Sequence, residues 1–278
     1  MVKIGICFPQ NDYENMEFAE FKKYLLMFKA EGIYSFDFYT NMFLNNDENL
    51  KRLLIFLNEH DIKITFHYYS VDKNNFMQYQ QDLIRIRNVL DIYNINYPIT
   101  IVFHAQPYES NFNKYEHLEN IAKEFEKLSE FARNLNFVIL VETLSYNHPK
   151  GNNIGDDIDE LIFLTTNVKS NNFGFCWDVG HTRLNHIENK IHLYLPKILL
   201  DKVKFTHIHN VIVEKDKTID HVPLTNLELQ KEEIKYLIKN NYDGIFSLEF
   251  ATKNLRENIY IYIDSIKKLR QLIEEITD

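Results

Sequence analysis

The sequence predicts an α/β chain of the (β/α)8 TIM barrel class, on three observations. Eight short runs rich in apolar, β-branched and aromatic residues recur along it, stretches of helical period separate them, and several runs are apolar on both faces. The runs cover residues 3–8, 34–39, 63–69, 99–105, 137–143, 173–179, 203–210 and 244–250. VILV at 138–141 has the double-sided apolar pattern of a parallel strand covered by helices, and each connection is long enough for a crossover helix.

The stretches between the runs repeat apolar residues at 3-4-3-4 spacing. Phe76, Tyr79, Leu83, Ile86 and Leu90 form such a stripe after the third run, and Leu118, Ile121, Phe125, Leu128 and Ala132 after the fourth. Ile259, Ile263, Ile266, Leu269 and Ile273 repeat it at the end. Eight such units in sequence close into a barrel; a doubly wound open sheet is the alternative, because closure is not written in the pattern. Single barrels commonly run to about 250 residues, and no proline-, glycine- or serine-rich linker interrupts the chain. Residues 1–278 therefore read as one domain.

Composition removes several function classes. Only 7 glycines occur in 278 residues, with no GxGxxG or GxxxxGK[ST] segment, so glycine-rich phosphate cradles are excluded. A net charge of -9 gives no basic footprint for nonspecific nucleic-acid or anionic-membrane binding. The opening MVKIGICFPQ lacks an export-signal pattern, and no run reaches the length of a membrane-spanning helix. Cys7 and Cys176 sit in strand-like runs and read as reduced, buried thiols. The expectation is a soluble cytoplasmic protein.

Polar residues interrupt the apolar runs near their C-terminal ends: His67, His104, Glu142, Asp178, His209 and Glu249, successively 31 to 40 residues apart. In a barrel those ends meet at one mouth, so the spacing gathers three carboxylates and three imidazoles. A single such residue is more often hydrogen-bonded scaffolding. Six in succession are another matter: with 11 His and 40 Asp and Glu in the chain, chance placement is on the order of one in a thousand. Crowded carboxylates raise one another's pKa unless a cation lies between them, and a divalent ion is the simplest one.

Glu142, Asp178, His209 and Glu249 come from four consecutive runs and supply three oxygens and one nitrogen, a set suited to Mn2+, Mg2+, Co2+ or Zn2+. His181 in DVGH and His221 in DHVPL fall in predicted loops on the same side, as further ligands or substrate contacts. His207 shares a strand face with His209 and reads as filling the barrel interior, with a supporting donor role as the alternative. His60, His117, His148, His186 and His192 read as ordinary helix or loop residues.

These residues resemble the xylose isomerase-like TIM-barrel superfamily, which holds sugar and sugar-phosphate isomerases and epimerases together with endonuclease IV. The resemblance spans nearly the whole chain and is most specific in ILVETLSYNHPKGNNIGDDIDELIFL, GFCWDVGH, FTHIHN with DHVPL, and NNYDGIFSLEF. It implies a four-ligand metal site on Glu142, Asp178, His209 and Glu249. The endonuclease IV branch adds imidazoles matched here by His67, His104, His181 and His221, and holds three zinc ions. Its Asp-x-His pair is broken here: Asp220 adjoins His221, and Ile219 stands where the carboxylate belongs.

The resemblance implies an isomerase or epimerase of a small sugar, sugar phosphate or related polyhydroxy carbonyl compound. The metal would polarise a carbonyl, with Glu142 and Glu249 as base and acid on either side of an enediolate. His181 and Arg183 would bind charge or phosphate, and Trp177, Tyr68 and Tyr69 would offer flat faces to the substrate, or pack in the core or rim. The alternatives are an endonuclease IV-like zinc phosphodiesterase acting on abasic DNA, and a metal-binding barrel without turnover. The expected partner is a carbohydrate-like small molecule, with nucleic acid disfavoured and no membrane. The oligomeric state, a homo-oligomer included, is left open.

Overall fold

A computed structural model of the chain describes residues 3–8, 16–40, 47–68, 76–105, 113–145, 154–187, 193–214, 217–224, 230–250 and 255–277. Its elements run β1 (Ile4–Cys7), α1 (Phe18–Ala30), β2 (Ser35–Tyr39), α2 (Asp47–Glu59), β3 (Lys63–Tyr68), α3 (Phe76–Ile92), β4 (Ile99–Phe103), α4 (Lys114–Asn134), β5 (Phe137–Glu142), α5 (Ile158–Asn167), β6 (Phe173–Asp178), α6 (Val179–Ile187), α7 (Lys197–Leu200), β7 (Val203–Ile208), β8 (Asn210–Glu214), β9 (Lys217–Val222), α8 (Lys231–Lys239), β10 (Ile245–Glu249) and α9 (Leu255–Thr277). Eight parallel strands close in the order β1-β10-β7-β6-β5-β4-β3-β2, which decides for the barrel over the open sheet. Each of the eight runs read from the sequence contains one barrel strand.

Strand alternation divides the interior into two cores. Phe137, Ile139 and Val141 of β5 point outward into the large layer between sheet and helices. Buried residues of α4 (Leu118, Ile121, Phe125, Leu128, Ala132) and α9 (Ile259, Ile266, Leu269, Ile273) supply its other side, along the stripes seen in the sequence. The intervening inward positions, Leu140, Val102, Cys176 and Phe205, form a small separate cluster inside the barrel. Each lies two residues before a polar residue of the rim (Glu142, His104, Asp178 and His207), so this apolar plug is the floor of the site.

One element departs from the regular unit. β8 and β9 pair as an antiparallel hairpin between β7 and α8, where the sequence suggested only a loop. VIVE and TIDHV are too short and too mixed in polarity to stand out as strands, and it is cross-strand pairing that makes them so. Both cysteines are buried free thiols, as expected. Among the described residues no helix is long and apolar enough to cross a membrane.

Candidate metal centre

The six polar residues meet at the C-terminal rim. Glu142, Asp178 and Glu249 end β5, β6 and β10, His67 is the penultimate residue of β3, and His104 and His209 follow β4 and β7 directly. All are buried except His104, whose side chain is 38% exposed and marks the mouth. Their contacts form linked groups. His67 Nε2 and His104 Nε2 stand 3.0 Å apart, and each lies within 3.3 Å of Glu142 Oε2. Asp178 meets His209 Nε2 at 3.0 and 3.2 Å through its two oxygens, and His181 Nδ1 at 3.3 Å. Glu142 joins the groups through Oε1, 3.5 Å from His181 Nδ1.

Local structure explains the placement. Asp178 accepts the His181 backbone N–H at 2.7 Å and so caps α6, whose first turn turns His181 back into the pocket. Gly180 leaves room for His209, because a β-carbon there would overlap the His209 ring. Gly155, at φ +113°, passes so close to the Glu142 carbonyl that a β-carbon would lie 2.8 Å from its oxygen. His221 comes from β9 and stacks on His209 with ring centres 4.2 Å apart. The ligand atoms of Asp178, His181, His209 and His221 all lie within 4.8 Å of one another, as do those of His67, His104 and Glu142.

Burial works against the charged form of each carboxylate, but neighbouring imidazoles prevail. His207 and His104 hold Glu142 well below the usual carboxylate range, and His207 and His221 do the same for Glu249. His181 and His209 lower Asp178. Burial also lowers His67 and His181, favouring neutral rings with lone pairs to offer. The His181 Nδ1 lies 3.1 Å from the Thr143 carbonyl; in the tautomer that donates this bond, Nε2 is left to coordinate. His67 Nδ1, His207 Nδ1 and Glu249 Oε2 are buried without a hydrogen bond, although His207 Nδ1 and Glu249 Oε2 are only 3.0 Å apart. Close but misaligned donor atoms of this kind fit a shared cation better than they fit one another.

His181 lies in the first turn of α6 and His221 on β9, not in loops. Trp177 is wholly buried on the outer face of β6, its indole N–H donated to Thr182, so alternation denies it to any substrate. Arg183 is committed to Glu233 of α8 at 2.6 Å instead of facing the pocket. Tyr68 points outward, stacks on Phe103 and donates to Asp82, in agreement with core packing. His207 does more than fill space, since it contacts Asp37, Glu142 and Glu249. His60, His117 and His186 lie in or beside helices; Tyr69, His148 and His192 lie outside the described residues. Asp37 joins the cluster through His207 without figuring among the expected residues, although it interrupts the apolar run SFDFY just as they interrupt theirs.

The family model for the xylose isomerase-like TIM barrel matches residues 28–272. A probable endonuclease 4 of Mycoplasmopsis pulmonis (strain UAB CTIP) is 31% identical over 81 residues, which are 29% of this chain and only 28% of that protein's length. Among solved structures, a D-tagatose 3-epimerase-like protein superposes with a TM-score of 0.72 at 19% identity, covering 99% of this chain and 98% of the other. A xylose isomerase-like TIM barrel protein from Mycobacterium smegmatis in complex with magnesium gives 0.69 at 12% identity, covering 100% and 98%. At these identities the structural likeness is one of fold. With the family match covering most of the barrel, the chain belongs to the xylose isomerase-like TIM barrel family.

Proposed function

We propose that the chain is a divalent-metal-dependent isomerase or epimerase of a small sugar, sugar phosphate or related polyhydroxy carbonyl compound. The observation that carries this reading is the convergence of Glu142 and Glu249, from well-separated strands, on one buried cluster that also holds Asp178 and His209. Glu142, Asp178, His209 and Glu249 would hold the ion, with His67, His104, His181 and His221 as further nitrogen donors. When bound, a divalent cation polarises a carbonyl and acidifies the adjacent C–H. One ionised glutamate would take the proton from that carbon, and the other would serve as the acid after taking up a proton from a substrate hydroxyl or solvent. The apolar plug of Val102, Leu140, Cys176 and Phe205 closes the pocket from below.

The test is exchange of the proton next to the carbonyl with deuterated water, followed by NMR over a panel of ketoses, aldoses and their phosphates with Mn2+ added. Wild type should exchange at least one compound, with Glu142→Gln and Glu249→Gln reduced about 10²–10⁴-fold. A Mn2+-loaded wild type that exchanges none of them defeats the reading. The second reading, zinc-dependent cleavage of abasic DNA, is favoured by the His67–His104–Glu142 group and the endonuclease 4 match. Against it, Ile219 stands at the carboxylate position and is 46% exposed on β9. Cleavage of an abasic duplex by the zinc-loaded chain would establish that alternative.

A further inference from the structure

Glu142 and Glu249 are not neighbours in the sheet, because β6 and β7 stand between β5 and β10. No backbone pairing therefore sets their separation directly. His207, wholly buried, touches both through one atom: its Nδ1 lies 3.0 Å from Glu249 Oε2 and 3.4 Å from Glu142 Oε1, whereas His67 reaches them through different nitrogens, at 3.3 Å to Glu142 Oε2 and 3.9 Å to Glu249 Oε1. Its other nitrogen, Nε2, lies 3.2 Å from Asp37 Oδ2, and its ring stacks on His67 with centres 5.3 Å apart and planes 13° from parallel. Each edge of the ring thus meets a carboxylate, and one face is packed. Asp37 is equally buried on β2, with Oδ1 making no hydrogen bond.

We propose that His207 is a positioning residue that sets the spacing and orientation of Glu142 and Glu249, and that Asp37 acts through it by fixing the ring. The proposal rests on the reading of both glutamates as ligands of a divalent ion. Its rival is that His207 is itself a ligand, since its atoms also lie within 4.8 Å of Asp37 and His67, and of Glu142 and Cys176. Supporting groups of this kind typically change metal affinity by about 10–100-fold without changing the number of ions bound.

The experiment is calorimetric titration of the full chain with Mn2+, comparing wild type with His207→Gln, His207→Asn, Asp37→Asn and the Asp37→Asn/His207→Gln double variant. His207→Gln should lose about 10–100-fold in affinity at unchanged stoichiometry. His207→Asn, whose amide can occupy the place of Nδ1, should recover most of that loss. Asp37→Asn should lose less, and the double variant should bind no more weakly than His207→Gln alone. Thermal unfolding without metal identifies folded variants; if His207→Gln does not fold, His207→Asn and the isosteric Asp37→Asn carry the comparison with wild type. A lost equivalent of Mn2+ in a His207 variant would make it a ligand and overturn the proposal. Affinities within about twofold of wild type in every folded variant, or losses that multiply in the double variant, overturn it as well. A wild type that binds no Mn2+ overturns the metal reading together with this role, whereas Mn2+ binding without proton exchange sinks the reaction and leaves the role standing.

Discussion

His67 and His104 turn their Nε2 atoms toward each other at 3.0 Å, beside a single oxygen of Glu142. Two lone pairs cannot face each other at that distance without a proton or a cation between them or beside them. Imidazole ligands select zinc over magnesium, whereas the oxygen-rich set of Glu142, Asp178 and Glu249 accepts either. The chain should therefore take up about one further equivalent of Zn2+ than of Mg2+ at saturation. Elemental analysis after dialysis checks this, and the His67→Ala/His104→Ala variant should lose the increment. Equal uptake of both metals by wild type would mean that the pair is held by a proton alone.

Gly180 sets two effects against each other. Alanine in a helix is worth about 1 kcal/mol over glycine, but a β-carbon at this position overlaps the His209 ring. Overpacking of this kind costs about 1–3 kcal/mol, so Gly180→Ala should be neutral to destabilising instead of stabilising. The larger effect should fall on metal binding, because the displaced ring is the one that meets both oxygens of Asp178. Thermal melts and Mn2+ titration of the same variant separate the two. A more stable protein with undiminished Mn2+ affinity would show that His209 can move aside freely.

The strand positions and the six rim residues were legible because one rule covers both: in a covered parallel strand, a lone charged residue near the C-terminal end stands out against an apolar background. Asp37 obeys the same rule and could have been found by it. Trp177 turns on phase: which way a strand residue faces depends on register, and the inward Asp178 next to it assigns Trp177 to the other face. Arg183 was different. Its partner Glu233 lies 50 residues away on α8, and nothing local in either segment announces the pair. The position of His221 was equally hidden, because it depends on a hairpin whose pairing is tertiary.

A cation bound at the rim would stabilise the folded chain in proportion to its occupancy. At a free ion concentration 100 times the dissociation constant the gain is about 2.7 kcal/mol. For a chain of this size each kcal/mol moves the melting temperature by about 2–4 °C, so chelation should lower it by roughly 5–10 °C. Replacing Asp178 and Glu249 together by Asn and Gln should abolish the chelator effect, because both the capping carboxylate and its opposite are removed. Differential scanning fluorimetry with and without chelator checks it. An identical shift in wild type and double variant would locate the responsible ion elsewhere.

Glu233 should give the folded chain a pH dependence independent of metal. Burial pushes its carboxyl up to about 7 from an ordinary 4.5, only partly offset by Arg183, and one of its oxygens makes no hydrogen bond. Between those values the folded state keeps a proton that the unfolded chain has lost, so stability falls as pH rises. The contribution is fully present below about pH 4.5 and is lost on passing through about pH 7; with 1.36 kcal/mol per unit its size is on the order of 3 kcal/mol. Urea unfolding of the chelated protein at intervals from pH 5 to 8 should show this decline in wild type, while Glu233→Gln, which cannot ionise, should follow a flatter curve. The absolute stability of that variant is a poor guide, because Arg183 keeps its charge beside the new amide; the difference in slope is the observable. Parallel curves across this interval would mean that the Glu233 carboxyl is already ionised at pH 5 and that Arg183 outweighs its burial.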